Sequence, residues 1–269
     1  MIGASRDSLA ALREALDARR SEPGFEAVSG ELFAVADLLE REKALRLQLA
    51  DAGAPEGARG GLVESLLGSR VGATTLAIVR DVASARWSSD DDLVDALEAL
   101  GAQAAFTTAE ADGSLDRVEE ELFRFGRAVD SSAPLQMALT DPSLPAAAKA
   151  GVVRDLLGGR AAAITESLLE HTVAHLRGRR VDAAVAALSD LAAAQRERVV
   201  AHVAVAHPLD EEQARRLTDA LTRLKGRQVR LDVVVDPEVI GGIAVRVGDE
   251  VIDGTVAARL EQARRALVD

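Results

Sequence analysis

Cysteine and tyrosine are both absent from this chain of 269 residues. Without cysteine there is no disulfide, no thiolate metal ligand and no cysteine nucleophile. Aromatic residues make up only 2% of the sequence, so we expect a core of Leu, Val and Ala spread over many helix contacts. The sequence also lacks any stretch near the roughly 18 consecutive apolar residues of a membrane-spanning helix. This predicts no direct membrane insertion.

Positive charge is also in short supply, because 44 acidic residues outweigh 32 basic ones and leave a net charge of −12. Such a surface repels the phosphates of nucleic acids and anionic lipids, so we expect no nucleic-acid partner. The first 20 residues carry charges throughout and contain no apolar core of a secretory signal. We therefore expect a cytoplasmic setting.

Helical spacing of apolar residues dominates the first two thirds of the chain. Leu9, Leu12 and Leu16 show it near the N-terminus. Glycine, proline and Asp-Gly pairs interrupt the pattern at short intervals. Ser88 and Ser89 precede three aspartates, an arrangement that predicts a capped helix start with its acidic groups at the positive end of the helix dipole.

An internal repeat is visible when the chain is shifted by 90 residues. Glu31-Leu32-Phe33 then falls on Glu121-Leu122-Phe123. Further matches pair Leu45 with Leu135, Leu49 with Leu139, Asp51 with Asp141, Pro55 with Pro145, Gly61 with Gly151, Arg70 with Arg160 and Thr75 with Thr165. The repeat predicts two related helical bundles, residues 1–105 and 106–195. The alternative is coincidence between two alanine-rich helical stretches.

The last 70 residues change to a two-residue period. Residues 199–205 and 228–236 alternate like strands, and an amphipathic helix lies between them with Leu217, Leu221 and Leu224 on one face. Two further β-rich runs flank Gly248-Asp249, which predicts a tight hairpin. The fold class expected is α+β, mostly α, with a small α+β domain over residues 196–269.

Catalytic motifs are missing from the sequence, including phosphate-binding loops, dinucleotide-binding loops and nucleophile elbows. His171 and His175 are four residues apart on a predicted helix, a spacing that can hold zinc. The glutamate of a metalloprotease motif is not between them. The sequence therefore predicts a partly exposed histidine pair, with no metal, no cofactor and no catalytic residue. An enzyme that uses these histidines stays as an alternative, which a stoichiometric metal in the purified protein would support.

The C-terminal run from Gly241 to Leu267 resembles the signature of the delta subunit of bacterial F-type ATP synthases, the oligomycin-sensitivity-conferring protein family. The residues that match the pattern are Gly241, Gly242, Gly248, Asp249, Ile252, Asp253, Gly254, Thr255, Arg259 and Leu260. The resemblance covers residues 115–269. The chain is longer than an ordinary member by one helical bundle, and in this it resembles the actinobacterial form of the family.

The resemblance implies a non-catalytic stator subunit, present in one copy in a hetero-oligomeric complex on the cytoplasmic face of the cell membrane. In this family the helical bundle binds the N-terminal helices of the synthase α subunits. The C-terminal domain receives the C-terminal helix of the membrane-anchored b subunit. The signature residues are then structural or stalk-binding. The alternative function is a helical-repeat adaptor unrelated to ATP synthase.

Overall fold

The computed structural model describes residues 1, 3–54, 57–196, 199–225, 229–236, 239, 241–247 and 250–253. The chain divides into two compact units, residues 1–195 and 196–269. Helices make up the first unit, and the second contains a small sheet with one described helix. The predicted class, α+β and mostly α, is confirmed. Among the described residues no helix is both long enough and apolar enough to cross a membrane.

Helices of 8 to 22 residues build the described part of the first unit. They are α1 (Ala4–Ala18), α2 (Phe25–Arg41), α3 (Lys43–Ala50), α4 (Ala58–Leu67), α5 (Ala73–Ser84), α6 (Asp90–Ala111), α7 (Leu115–Asp130), α8 (Ala133–Thr140), α9 (Ala146–Leu157), α10 (Ala163–Ala174) and α11 (Val181–Arg196). The predicted cap of α6 is confirmed, since the Ser89 hydroxyl accepts a hydrogen bond from the backbone N–H of Asp92. The acidic start of α6 also makes tertiary contacts, because Asp90 pairs with Arg46 at 2.7 Å.

The helix boundaries recur with the period seen in the sequence. Helix α8 begins and ends 90 residues after α3, and α10 begins and ends 90 residues after α5. Two hydrophobic cores lie side by side, and α6 contributes to both. Leu97 and Leu100 of α6 lie in the first core, and Phe106 and Ala109 lie in the second. The sequence-based boundary at 105/106 therefore falls inside a helix that both cores share.

Two glutamates cap helices from a distance in the same way. Gly72 and Ala162, the N-cap residues of α5 and α10, have no side chain that could cap. The Glu31 carboxylate instead accepts hydrogen bonds from Gly72 N–H at 3.0 Å and from the Thr75 hydroxyl. Glu121 accepts bonds from Ala162 N–H at 2.9 Å and from the Thr165 hydroxyl at 2.6 Å. A carboxylate thus meets the positive end of each helix.

Replacing Glu121 by Gln should destabilise the first unit by about 1–2 kcal/mol, because the charged hydrogen bonds to α10 are lost. Burial raises the pKa of Glu121. The hydrogen bonds from Thr165, Ala162 and Arg117 together lower it by more, so the pKa lies below its ordinary value of 4.5. Because the pKa is lower in the folded state than in the unfolded state, ionised Glu121 stabilises the fold at pH values above 4.5. This stability is lost as the pH falls through the lowered pKa.

Urea unfolding from pH 7 to pH 3 measures this effect, and the difference between wild type and Glu121→Gln should shrink at the acidic end. Glu120→Gln is the matched control, because Glu120 is exposed and its ion pair among the described residues is with Arg124 of its own helix. Its effect should stay within about 0.5 kcal/mol. Equal losses for both variants would contradict the capping role.

The second unit contains a four-stranded sheet in the order β2-β1-β3-β4. The strands are β1 (Val199–Val205), β2 (Val229–Val235), β3 (Ile243–Val247) and β4 (Glu250–Asp253), and α12 (Glu211–Lys225) connects β1 to β2. The pair β1–β2 is parallel, whereas β1–β3 and β3–β4 are antiparallel. Both predicted strand runs and the antiparallel β3–β4 pair are confirmed. Gly248 and Asp249 of the predicted hairpin turn lie outside the described residues.

One predicted apolar face, on α12, is only partly buried. Leu221 of α12 is buried against the sheet and Leu217 packs at the edge of that core, but Leu224 is 63% exposed. The edge strand β2 behaves similarly, since Val229 is buried and Val235 is exposed. The sheet core is small, so it covers only the first part of β2 and the middle of α12.

Candidate functional site

The C-terminal signature residues are described only in part. Gly241 and Gly242 precede β3 and have φ angles of 66° and 86°, a region that strains residues with a side chain. Ile252 lies in β4 opposite Val245 and is partly exposed. Asp253 ends β4 and pairs with Ala244. The signature residues outside the described part of the chain are Gly248, Asp249, Gly254, Thr255, Arg259 and Leu260.

Exposed apolar side chains mark surfaces that could receive a partner helix. In the first unit they are Met1, Leu47, Leu66, Phe123, Met137 and Leu156 among the described residues. In the second unit they are Leu224, Val233, Val234, Val235 and Ile252. Leu47 and Met137 are 90 residues apart, as are Leu66 and Leu156, so the same positions of the repeat are exposed twice.

Phe33 and Phe123 occupy equivalent positions of the repeat but differ in exposure. Phe123 is 57% exposed, whereas Phe33 is buried. The ring of Phe33 stacks on the imidazole of His171 in α10, with ring centroids 4.0 Å apart. The face of α2 around Phe33 is therefore covered by a helix, whereas no described helix covers Phe123 on the equivalent face of α7.

His171 of α10 and His175, the residue that follows this helix, meet carboxylates from α2 and α6. His175 Nε2 lies 3.0 Å from Asp37 Oδ1, and His175 Nδ1 lies 2.6 Å from Glu40 Oε2. His171 Nδ1 lies 3.6 Å from the same Asp37 oxygen, and His171 Nε2 lies 3.6 Å from Glu98 Oε1. The histidine side chains are only 10% and 19% exposed. The predicted partly exposed pair is confirmed, and α2 and α6 cover most of each ring.

An arginine after α10 strengthens this contact. Arg177 has a φ of 45°, which is unusual for a residue with a side chain. Its guanidinium donates to Asp95 at 2.6 Å and to Glu98, both in α6. Burial raises the pKa of Asp95, while Arg177 lowers it and Glu98 raises it, with a net increase. The carboxylates of α6 thus hold the chain at the end of α10.

A shallow groove of about 500 Å³ lies between α2 and α10 beside the histidines. Phe33, Asp37, Glu166, Glu170 and His171 are among its lining residues. The groove links the histidine cluster to solvent.

Sequence patterns found the histidine pair but not its partners. Asp37, Glu40 and Glu98 lie far from α10 along the chain, and each is an ordinary acidic residue on a helix. The weak signal was Asp37-x-x-Glu40, which places two carboxylates on one face of α2. Only the packing of α10 on that face brings them to the histidines.

Comparisons with known proteins cover the whole chain. The family model of the ATP synthase delta (OSCP) subunit matches residues 101–267. The ATP synthase subunit delta of Streptomyces griseus is 46% identical over 269 residues, 99% of each chain. That of Frankia casuarinae is 46% identical over 275 residues, 100% of each chain. These full-length relatives contradict the alternative of an adaptor unrelated to ATP synthase.

A solved structure was also found, a chain of the mitochondrial ATP synthase hexamer of Toxoplasma gondii. It is 20% identical and covers 62% of this chain and 95% of its own, with a TM-score of 0.28. That score is too low to support any argument about the fold. The sequence comparisons suffice, and they show that the chain belongs to the ATP synthase delta (OSCP) subunit family.

Proposed function

We propose that this chain is a non-catalytic stator subunit of an F-type ATP synthase, which joins the catalytic head to the membrane-anchored b subunit and resists torque. The observation that carries the proposal is the match to ATP synthase delta subunits over the full length of the chain. The protein is one copy in a hetero-oligomeric complex and lies peripherally on the cytoplasmic face of the cell membrane.

The exposed apolar residues of the first unit support a role in binding helices of the α subunits. A stator contact has to be long-lived, and packing of an amphipathic helix into an apolar groove provides this without a reactive residue. Helix α10 of the second bundle already covers the face of the first bundle around Phe33. No described helix covers the equivalent face around Phe123, so we assign the α-subunit helix to the second bundle. The division into two bundles of common origin is part of this proposal.

The second unit is proposed to receive the C-terminal helix of the b subunit. Its exposed residues Leu224, Val234 and Ile252 support this assignment because a helix can bury such side chains. The signature residues Gly241 and Gly242 have a structural role here, since their backbone conformation directs the chain into β3.

Add-back of the chain to membranes depleted of it tests the proposal. Wild-type protein should restore ATP synthesis driven by a proton gradient, and the head should remain on the membranes during washing. Phe123→Glu should restore less than about one tenth of that synthesis, because burying an unpaired carboxylate in an apolar contact costs several kcal/mol.

Leu47→Glu in the first bundle is the matched control and should restore synthesis like the wild type. Both variants replace an exposed apolar residue, so folding effects should be equal. Failure of the wild-type chain to restore ATP synthesis driven by the proton gradient would overturn the stator function. Full activity of Phe123→Glu would overturn only the assignment of the α-subunit helix to the second bundle.

A further inference from the structure

We propose that Asp37, His171 and His175 form a binding site for one transition-metal dication of the Zn²⁺ class, which fastens α10 to α2. The site is independent of the proposed stator function. It differs from the sequence-based expectation of no metal because the third ligand comes from α2, far from the histidines along the chain.

Both histidine side chains approach the same oxygen atom of Asp37. Asp37 Oδ1 lies 3.0 Å from His175 Nε2 and 3.6 Å from His171 Nδ1. This oxygen is nevertheless buried without a hydrogen-bond partner, because neither contact is aligned as a hydrogen bond. The oxygen therefore has two imidazole nitrogens within 3.6 Å but no hydrogen bond, and a buried polar atom in that situation calls for a further partner.

The two distances from Asp37 to the histidine nitrogens suit a tetrahedral ion. Zn²⁺ binds imidazole nitrogen and carboxylate oxygen at about 2.0–2.1 Å, so neighbouring ligands of a tetrahedron lie about 3.3 Å apart. The observed separations of 3.0 and 3.6 Å bracket this value. The candidate ligand atoms of all three residues lie within 4.8 Å of one another.

A surrounding carboxylate orients His175 as a metal site requires. Metal-binding histidines usually donate their second ring N–H to a carboxylate or carbonyl group. Glu40 Oε2 lies 2.6 Å from Nδ1 of His175, and Glu98 Oε1 lies 3.6 Å from Nε2 of His171. Nδ1 of His175 therefore bonds to Glu40 and leaves Nε2 to face Asp37, whereas the buried Nε2 of His171 has no hydrogen-bond partner.

Charge favours a cation at this place. Among the described ion pairs, Glu98 is matched by Arg177 and Arg179, whereas Asp37 and Glu40 pair only with the histidines. A dication would balance these two carboxylates while both imidazoles remain neutral. The groove lined by Asp37 and His171 gives an ion a path from solvent.

The ligand set selects the class of metal. Two imidazoles and one carboxylate suit Zn²⁺ and its first-row neighbours, whereas Mg²⁺ and Ca²⁺ prefer oxygen ligands only. Three protein ligands leave a coordination position for water. Because the ligands belong to helices of different bundles, an ion bound here would stiffen the contact between them.

Titration of the full chain with ZnCl₂ after treatment with a chelator tests the proposal. Calorimetry should show one Zn²⁺ per chain, and the thermal unfolding midpoint should rise with Zn²⁺ but not with Mg²⁺. Co²⁺ should give the intense visible absorption of a tetrahedral site. Asp37→Asn and His175→Gln should each weaken Zn²⁺ binding by at least about tenfold.

His207→Gln is the matched control, since His207 is exposed in the second unit and outside the cluster. It should leave Zn²⁺ binding unchanged. Absence of binding at micromolar Zn²⁺ would overturn the proposal, as would equal binding by wild type, Asp37→Asn and His175→Gln. If the variants do not fold, the Co²⁺ spectrum of the wild-type chain decides, and an octahedral spectrum refutes the site.

Discussion

Replacing Gly101 by Leu should destabilise the first unit by about 3 kcal/mol, because it places a side chain where the ring of Phe33 lies. A Cβ atom at Gly101 would be 2.7 Å from Phe33 Cε1. The ring has little room to move, since it is buried and stacks on His171 on its other side. The gain in helix propensity over Gly, about 1 kcal/mol at most, is too small to offset the clash. Guanidinium unfolding followed by circular dichroism measures the change.

Gly126→Ala in α7 is the matched control for helix propensity. Its Cβ would meet Val185 Cγ1 at 3.5 Å, an ordinary contact, so the variant should be more stable by roughly 0.5–1 kcal/mol. Gly101→Leu combined with Phe33→Ala should recover part of the loss, because the smaller side chain makes room. Additive losses in the double variant would show that Phe33 is not the cause of the strain.

Periodic features of this fold could be predicted from the sequence. The 90-residue repeat involves Phe, Pro, Gly and Arg matches that composition alone does not explain, and α3/α8 and α5/α10 recur at that spacing. The β3–β4 pair could be predicted from two β-rich runs on either side of Gly-Asp. Each helix boundary and the hairpin are set by residues close to them in the sequence. They therefore do not depend on how distant helices pack.

Features that depend on packing could not be predicted. Phe33 and Phe123 match in the repeat, yet one is buried and the other exposed, because α10 lies on the first and no described helix covers the second. The pairing of Asp37 with His175 has the same origin. Helical periodicity predicts which residues share a face, but it does not say which other face they meet.

The extent of burial along α12 also could not be predicted. Leu224 fits the apolar stripe of α12 by spacing, but it is 63% exposed and lies outside the sheet core. The exposed end of this stripe therefore coincides with the surface proposed for the b subunit.

A chain shortened to residues 1–195 should lose binding to the C-terminal helix of the b subunit while retaining its helices. Both cores of the first unit are formed by residues before 196, and the core of the second unit lies entirely after it. The cut at Gln195 thus removes no buried residue from either helical core. Circular dichroism and thermal unfolding should show the first unit folded, and affinity for a b-subunit peptide should fall at least about 100-fold, nearly 3 kcal/mol.

Phe123→Glu in the full chain is the control for this experiment, because it alters the first unit and leaves the second intact. It should bind the b-subunit peptide like the wild type. Binding by the shortened chain would place the b-subunit site on the helical bundles and refute the assignment to the second unit. Loss of binding in both proteins would instead indicate that the two units contribute jointly.

Leu224→Glu in the full chain then tests whether the second unit itself contacts the b helix. Leu224 is exposed and lies outside the sheet core, so this variant should weaken binding only if α12 contacts the b helix.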